Sequence, residues 1–155
     1  MQPNIVTMSD SYKVGHWRQL QKTISRSSAF FESRGGRYPE TVYFGAQCIL
    51  KKYFVGRVVT EKKIVEARDL FAPHFGDGTL FNERAWRYIL AKHEGRLPIE
   101  IRAIPEGTRV PTGNALMTVE STDPSLKVPT AWLANYLETV LVMTWYPTTV
   151  CTQSY

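Results

Sequence analysis

A chain of 155 residues that is 43% hydrophobic and 21% charged is long enough to bury one sizeable core and too apolar to be disordered throughout. Nineteen Lys plus Arg against fourteen Asp plus Glu leave a net charge of +5, with the basic residues scattered rather than in runs. That scatter argues against a nucleic-acid partner, which calls for a basic helix or an aromatic platform interleaved with basic residues.

The opening MQPNIVTMSD lacks the charged-then-apolar build of a signal peptide. Ser9 or Asp10 is placed to cap a helix running to Gln21, because a short oxygen-bearing side chain accepts a hydrogen bond from the first-turn amides. Residues 24–33 read as extended, and Arg34-Gly35-Gly36-Arg37 as a loop. After a strand-like Thr41-Val42-Tyr43-Phe44, the spacing of Ala46, Ile49, Leu50 and Tyr53 predicts a helix that ends near Gly56. Thr60 opens a further helix with Ile64, Ala67, Phe71 and Phe75 on one side, its last turn disturbed by Pro73. Asn82 caps another, whose stripe of Trp86, Ile89, Leu90 and His93 makes His93 a helix-end residue rather than a catalyst.

From Leu97 the period changes to two, predicting a small antiparallel meander with turns at Pro105-Glu106-Gly107 and Thr112-Gly113-Asn114. Gly107, Gly113 and Asn114 suit positive φ there, and Pro105 and Pro111 fall at strand ends, where a missing amide does no harm. A buried helix follows over residues 131–146; Asn135 and Glu138 make it too polar, and its length too short, to span a membrane. Trp145-Tyr146-Pro147 is expected to break it, and residues 148–155 read as the opening of a further element. A helix apolar on nearly every side needs cover on nearly every side, so a partner, a dimer or a truncated chain is expected. The expected fold class is α+β, helices packed on a small antiparallel meander, divided into residues 1–124 and residues 125–155. Cys48 and Cys151 lie in apolar segments outside any CxxC pair, as suits reduced, packed thiols in a cytoplasmic protein.

No catalytic constellation is complete. GxxxxGK[ST], GxGxxG, HExxH and GxSxG are absent, the Cys and His residues do not cluster, and His16, His74 and His93 are far apart. No metal ligands are nominated, and the residues leave open whether the chain is an enzyme by itself.

Three stretches carry a resemblance: Ser9-Asp10-Ser11-Tyr12-Lys13, the tract PIEIRAIPEGTRVPTGNALMTVESTDP from Pro98 to Pro124, and NYLETVLVMTWYPTTV over residues 135–150. In order along the chain they resemble the N-terminal part of the nicotinamide phosphoribosyltransferase family, type II phosphoribosyltransferases that are much longer and carry an α/β barrel beyond this point. The resemblance implies synthesis of nicotinamide mononucleotide and pyrophosphate from nicotinamide and phosphoribosyl pyrophosphate, in NAD salvage. It further implies Mg2+ bound with phosphoribosyl pyrophosphate, ATP as a coupled activator, and a homodimer. Neither cofactor is expected to be held by this chain alone, which is expected to be inactive in isolation.

By the same resemblance Tyr12 stacks on nicotinamide in a tunnel at the dimer interface, Asp10 helps to orient the carboxamide, and Arg34 reaches phosphate oxygens. A flat, electron-poor ring gains from offset stacking on an aromatic face, and a guanidinium pairs bidentately with phosphate. Each has an ordinary alternative: Tyr12 as a core residue, Asp10 as a cap, Arg34 as a solvated arginine beside Gly35-Gly36, where animal enzymes carry a longer lysine-rich loop. The alternatives for the whole chain are a nicotinate phosphoribosyltransferase-like fragment, a non-catalytic partner or regulatory module, or a split-gene relic; the WYP and PEG contexts favour the amide-using branch.

Overall fold

The computed structural model describes residues 3–151 and 153. Strand β1 (Ser28–Glu32) is followed by β2 (Glu40–Val42), helices α1 (Ala46–Tyr53), α2 (Glu61–Phe75) and α3 (Glu83–Lys92), strands β3 (Ile99–Ala103), β4 (Arg109–Pro111) and β5 (Ala115–Ser121), then α4 (Leu133–Tyr136) and α5 (Glu138–Tyr146). The class is α+β, with mixed helices and small antiparallel sheets and no barrel among the described residues.

Local chemistry explains the helices that the sequence predicts. Thr60 Oγ1 accepts from the Lys63 amide and starts α2; Asn82 Oδ1 accepts from the Ala85 amide and starts α3. Ile64, Ala67 and Phe71 bury one face of α2, and Ala85, Trp86 and Ile89 one face of α3. Pro73 is accommodated inside α2, which runs to Phe75 and ends at Gly76, φ 63°. His93 caps the end of α3 as expected, and its Nε2 lies 2.6 Å from Asp123 Oδ2, which also accepts from the Tyr88 hydroxyl at 2.8 Å.

Strand connectivity differs from a meander. The main sheet has the order β1-β5-β3, while β4 leaves it to pair with β2. Pro111 has no amide to donate, so β4 in the middle of a three-stranded ladder would leave a gap; as half of a two-stranded ribbon it leaves none. Gly107 and Gly113 adopt positive φ, 84° and 80°, but Asn114 does not, its side-chain amide donating instead to the Pro111 carbonyl. The β1–β5 register shifts between Phe31 and Glu32. Such a bulge lets consecutive residues face inward, and both Leu116 and Met117 are buried, in separate clusters.

The N-terminal helix expected from Ser9 to Gln21 is two 3₁₀ turns, Ser11–Lys13 and His16–Gln19, separated by Gly15. Glycine is a poor helix former, and the segment is held by outside partners instead: Ser9 Oγ donates to the Tyr136 carbonyl at 2.9 Å, and the Asp10 amide to Thr139 Oγ1 at 3.2 Å. The same Ser9 bond accounts for the division of the apolar helix over 131–146. With the Tyr136 carbonyl engaged, the Val140 amide turns to Leu137, where α4 gives way to α5. Pro147 does not end the helical path; at φ −62° it passes into a π-helical turn, Pro147–Cys151, whose wider spacing tolerates the missing donor. The element expected over residues 148–155 extends partly outside the described residues. Cys48 and Cys151 are free but exposed, not packed: Cys48 lies on the face of α1 opposite the buried Ala46 and Tyr53, and Cys151 at the end of a turn that buries Thr148 and Thr149.

The largest core cluster joins Ile5 and Val6 of the N-terminus with α2, α3, α4 and α5. Its centre is an aromatic trio, Trp86, Trp132 and Tyr136, edge to face at 5.1–5.5 Å. This packing fixes α4 and α5 beside β1, where the candidate site forms.

Candidate functional site

The segment Asp10-Ser11-Tyr12-Lys13 is clamped to the start of α5 through its lysine. Lys13, with 2% of its side chain exposed, places Nζ 3.0 Å from Asp10 Oδ2 and 2.9 Å from Glu138 Oε2. Thr139 Oγ1 completes the cluster by donating to Asp10 Oδ2 at 2.9 Å. The hydrogen bond from Lys13, working against partial burial and with help from Thr139, holds the Asp10 carboxyl below its ordinary 3.8. Burial pulls Lys13 downward, but Glu138 and Asp10 outweigh it and hold the ammonium above 10.5. The Asp10 side chain is therefore not a helix cap but one arm of this clamp.

The Tyr12 ring lies beside this clamp, its centroid 5.4 Å from Lys13 Nζ. Tyr12 is 63% exposed, so it is not a core residue, and its ring lies 5.3 Å from that of His16. His16 Nδ1 in turn accepts from the Asn135 amide at 2.9 Å, while Ser11 Oγ bonds His74 Nε2 at 2.9 Å. The backbone of the motif is thus fixed on both sides of an exposed aromatic ring.

Glu138 and Asn135 also line a cleft of about 550 Å³ between β1 and the face of α4 and α5 that carries Val142 and Trp145. Exposed Phe30 borders it, and Trp145 is anchored through its indole N–H to the Glu32 carbonyl. Arg34, exposed at the far side, makes no hydrogen bond or ion pair among the described residues, which leaves its guanidinium available to an anion. The structure therefore brings Arg34 and the clamp of Asp10 to one cleft through Glu138; Tyr12 reaches it only through His16 and Asn135 and does not line it.

Sequence reasoning nominated Asp10, Tyr12 and Arg34 but not Lys13, Glu138, Asn135 or His16 as parts of the site. A signal was present: Asn135, Glu138, Val142 and Trp145 recur at helical spacing, so polar residues in an apolar helix share one face. No nucleophile–base pair lies in the cleft, and no group of three or more His, Cys, Asp or Glu able to hold a metal exists among the described residues.

A model of the nicotinamide phosphoribosyltransferase N-terminal domain matches residues 4–101. The chain belongs to this family. A nicotinamide phosphoribosyltransferase of Xanthomonas campestris pv. campestris (strain 8004) is 47% identical over 152 residues, 98% of this chain and 31% of that protein. One from Acinetobacter baylyi (strain ATCC 33305 / BD413 / ADP1) is 28% identical over 89% of this chain and 29% of its own length. The chain thus spans about a third of the curated relatives it matches, 31% and 29%. A crystal structure of human nicotinic acid phosphoribosyltransferase superposes with a TM-score of 0.51 and 21% identity, over 93% of this chain and 27% of that one, a likeness of fold. No helix among the described residues is long and apolar enough to cross a membrane.

Proposed function

We propose that this chain forms the N-terminal part of a nicotinamide phosphoribosyltransferase, which joins nicotinamide to phosphoribosyl pyrophosphate to give nicotinamide mononucleotide and pyrophosphate. The observation that carries this reading is the clamp: Lys13 is buried and ion-paired while the adjacent Tyr12 ring is 63% exposed, an arrangement that presents a ring from a fixed backbone. In this reading Tyr12 stacks on the base, Asp10 orients its carboxamide, and Arg34 meets phosphate oxygens across the cleft. Glycosyl transfer through a cation-like sugar needs the base held against it and the departing pyrophosphate neutralised, tasks of position and charge that these residue types suit. In this reading magnesium arrives bound with phosphoribosyl pyrophosphate, and ATP acts elsewhere in the complete protein. The complete protein is a cytoplasmic dimer whose second subunit covers the exposed Met143 and Tyr146 of α5.

A chimera tests this: the present chain replaces the matching 152 residues of the Xanthomonas relative and is followed by the rest of that protein. Nicotinamide mononucleotide should form from nicotinamide, phosphoribosyl pyrophosphate, magnesium and ATP, with little product from nicotinate and none from the present chain alone. A folded, soluble chimera that makes no product, or prefers nicotinate, defeats the reading.

Tyr12 itself has a sharper expectation. In the chimera, Tyr12→Phe should keep most nicotinamide affinity, whereas Tyr12→Leu should raise the nicotinamide KM several-fold, a loss on the order of 1 kcal/mol. Melting temperature should change little in either, because so exposed a ring contributes little to the core. A large fall in melting temperature with KM unmoved would reassign the ring to folding.

A further inference from the structure

A second cleft, sharing no lining residue with the first, lies between the turn at His16–Gln19, the start of α3 and the segment leading into α4. It encloses about 340 Å³, within the size range of small-molecule sites. Its apolar lining is Trp17, Leu20, Val128 and Trp132, with the exposed Leu126 beside them. Both indole N–H groups are already satisfied, Trp17 by the Leu80 carbonyl at 2.8 Å and Trp132 by that of Pro129 at 3.0 Å. The Arg18 guanidinium lies 5.5 Å from the Trp17 ring centroid and Trp132 is 5% exposed, so what these rings leave open to the cleft is a limited carbon surface rather than donors.

Its rim is cationic. Arg18, Lys22, Arg84 and Lys127 line it, and no carboxylate does. Arg18 is engaged by Asp77 at 3.7 Å and by Thr79, and Arg84 donates to the Lys127 carbonyl at 3.2 Å. The ammonium groups of Lys22 and Lys127 have no hydrogen-bond or ion-pair partner among the described residues. Uncompensated cations beside an aromatic hollow complement a ligand of one kind, with a flat apolar body for the indoles and a negative group for the lysines.

We infer that this cleft is a binding site for a small aromatic anion, a phosphate ester or carboxylate, separate from the cleft that holds Arg34. The inference does not depend on the proposed reaction. Lys22 and Lys127 are exposed, so changing them alters the rim charge without touching the core.

The test uses the present chain at constant ionic strength, with naphthyl phosphate, naphthoate and neutral naphthylmethanol as probes, and reads the Trp17 and Trp132 indole signals by NMR. Both anions should move those signals saturably and bind at least about tenfold more tightly than the alcohol. Tighter binding of naphthyl phosphate than of naphthoate would assign a phosphate ester; the reverse order would assign a carboxylate. The double variant Lys22→Glu/Lys127→Glu should weaken the anions by about tenfold and leave the alcohol unchanged. If that variant melts early, Lys22→Gln/Lys127→Gln gives the same comparison without charge reversal. Equal affinity for anion and alcohol, unchanged anion affinity in a folded variant, or perturbation of the Arg34 cleft in place of the two indoles would overturn the inference.

Discussion

Neutralising both partners of Lys13 should cost the fold about 3–5 kcal/mol, the penalty of leaving a buried ammonium without a counter-charge. Asp10→Asn with Glu138→Gln does this while keeping side-chain shape. Lys13, 2% exposed, then has no carboxylate to replace lost hydration. Lys13→Met should cost markedly less, about 1–2 kcal/mol, because the carboxylates it leaves behind are 42% and 43% exposed and can be solvated where they stand. The decisive comparison is the triple variant. Adding Lys13→Met to the double variant should restore much of the stability lost, since an apolar chain of similar length replaces an uncompensated charge. Urea unfolding of the four proteins measures all of these; a triple variant less stable than the double would show that the charge itself is not what the clamp must satisfy.

The same clamp sets a pH window. Asp10 is held below 3.8 in the folded chain, so its contribution is present above that value and fades as pH falls through the lower, folded one. Lys13 is held above 10.5, so its contribution is complete below that value and is lost as pH rises through the higher, folded one. Between these limits Asp10 and Lys13 keep their charges, and the ion pair that anchors the segment beside Tyr12 stays intact.

Elements governed by neighbouring residues were legible from sequence. Thr60 and Asn82 begin α2 and α3 because a cap needs only its own first turn, and the alternation in β3 survives because its side chains face fixed sides of one sheet. Elements governed by distant partners were not. Nothing near Leu137 marks the division of the apolar helix, which follows from a hydrogen bond given by Ser9. Nothing within β4 announces that its partner is β2. The candidate site divides in the same way. Asp10, Tyr12 and Arg34 stood out by resemblance, whereas the burial of Lys13 and its pairing with Glu138 join residues far apart in the chain and needed the packed aromatic trio to bring them together.

Gly95→Ala should destabilise the chain by about 3 kcal/mol, for reasons of conformation and of space together. Gly95 has φ +79°, and a Cβ built there would lie 2.2 Å from the Val59 carbonyl oxygen. That carbonyl cannot swing aside cheaply. The Val59 amide donates to the Gly95 carbonyl at 3.0 Å, and Thr60, the next residue, caps α2, so moving Val59 disturbs the entry to that helix. On the other side the Gly95 amide donates to Ile89, tying the exit of α3 to the same point. Gly107→Ala isolates the conformational share: its φ is +84° but nothing lies within 4 Å of the added carbon. It should cost only about 1 kcal/mol, the penalty for a Cβ in the left-handed region. The difference between the two variants in urea measures the close approach of α2 and α3 that holds Trp86 against Trp132 and Tyr136. Equal losses in the two would mean that the backbone at Val59 yields freely and that this junction does not lock the core.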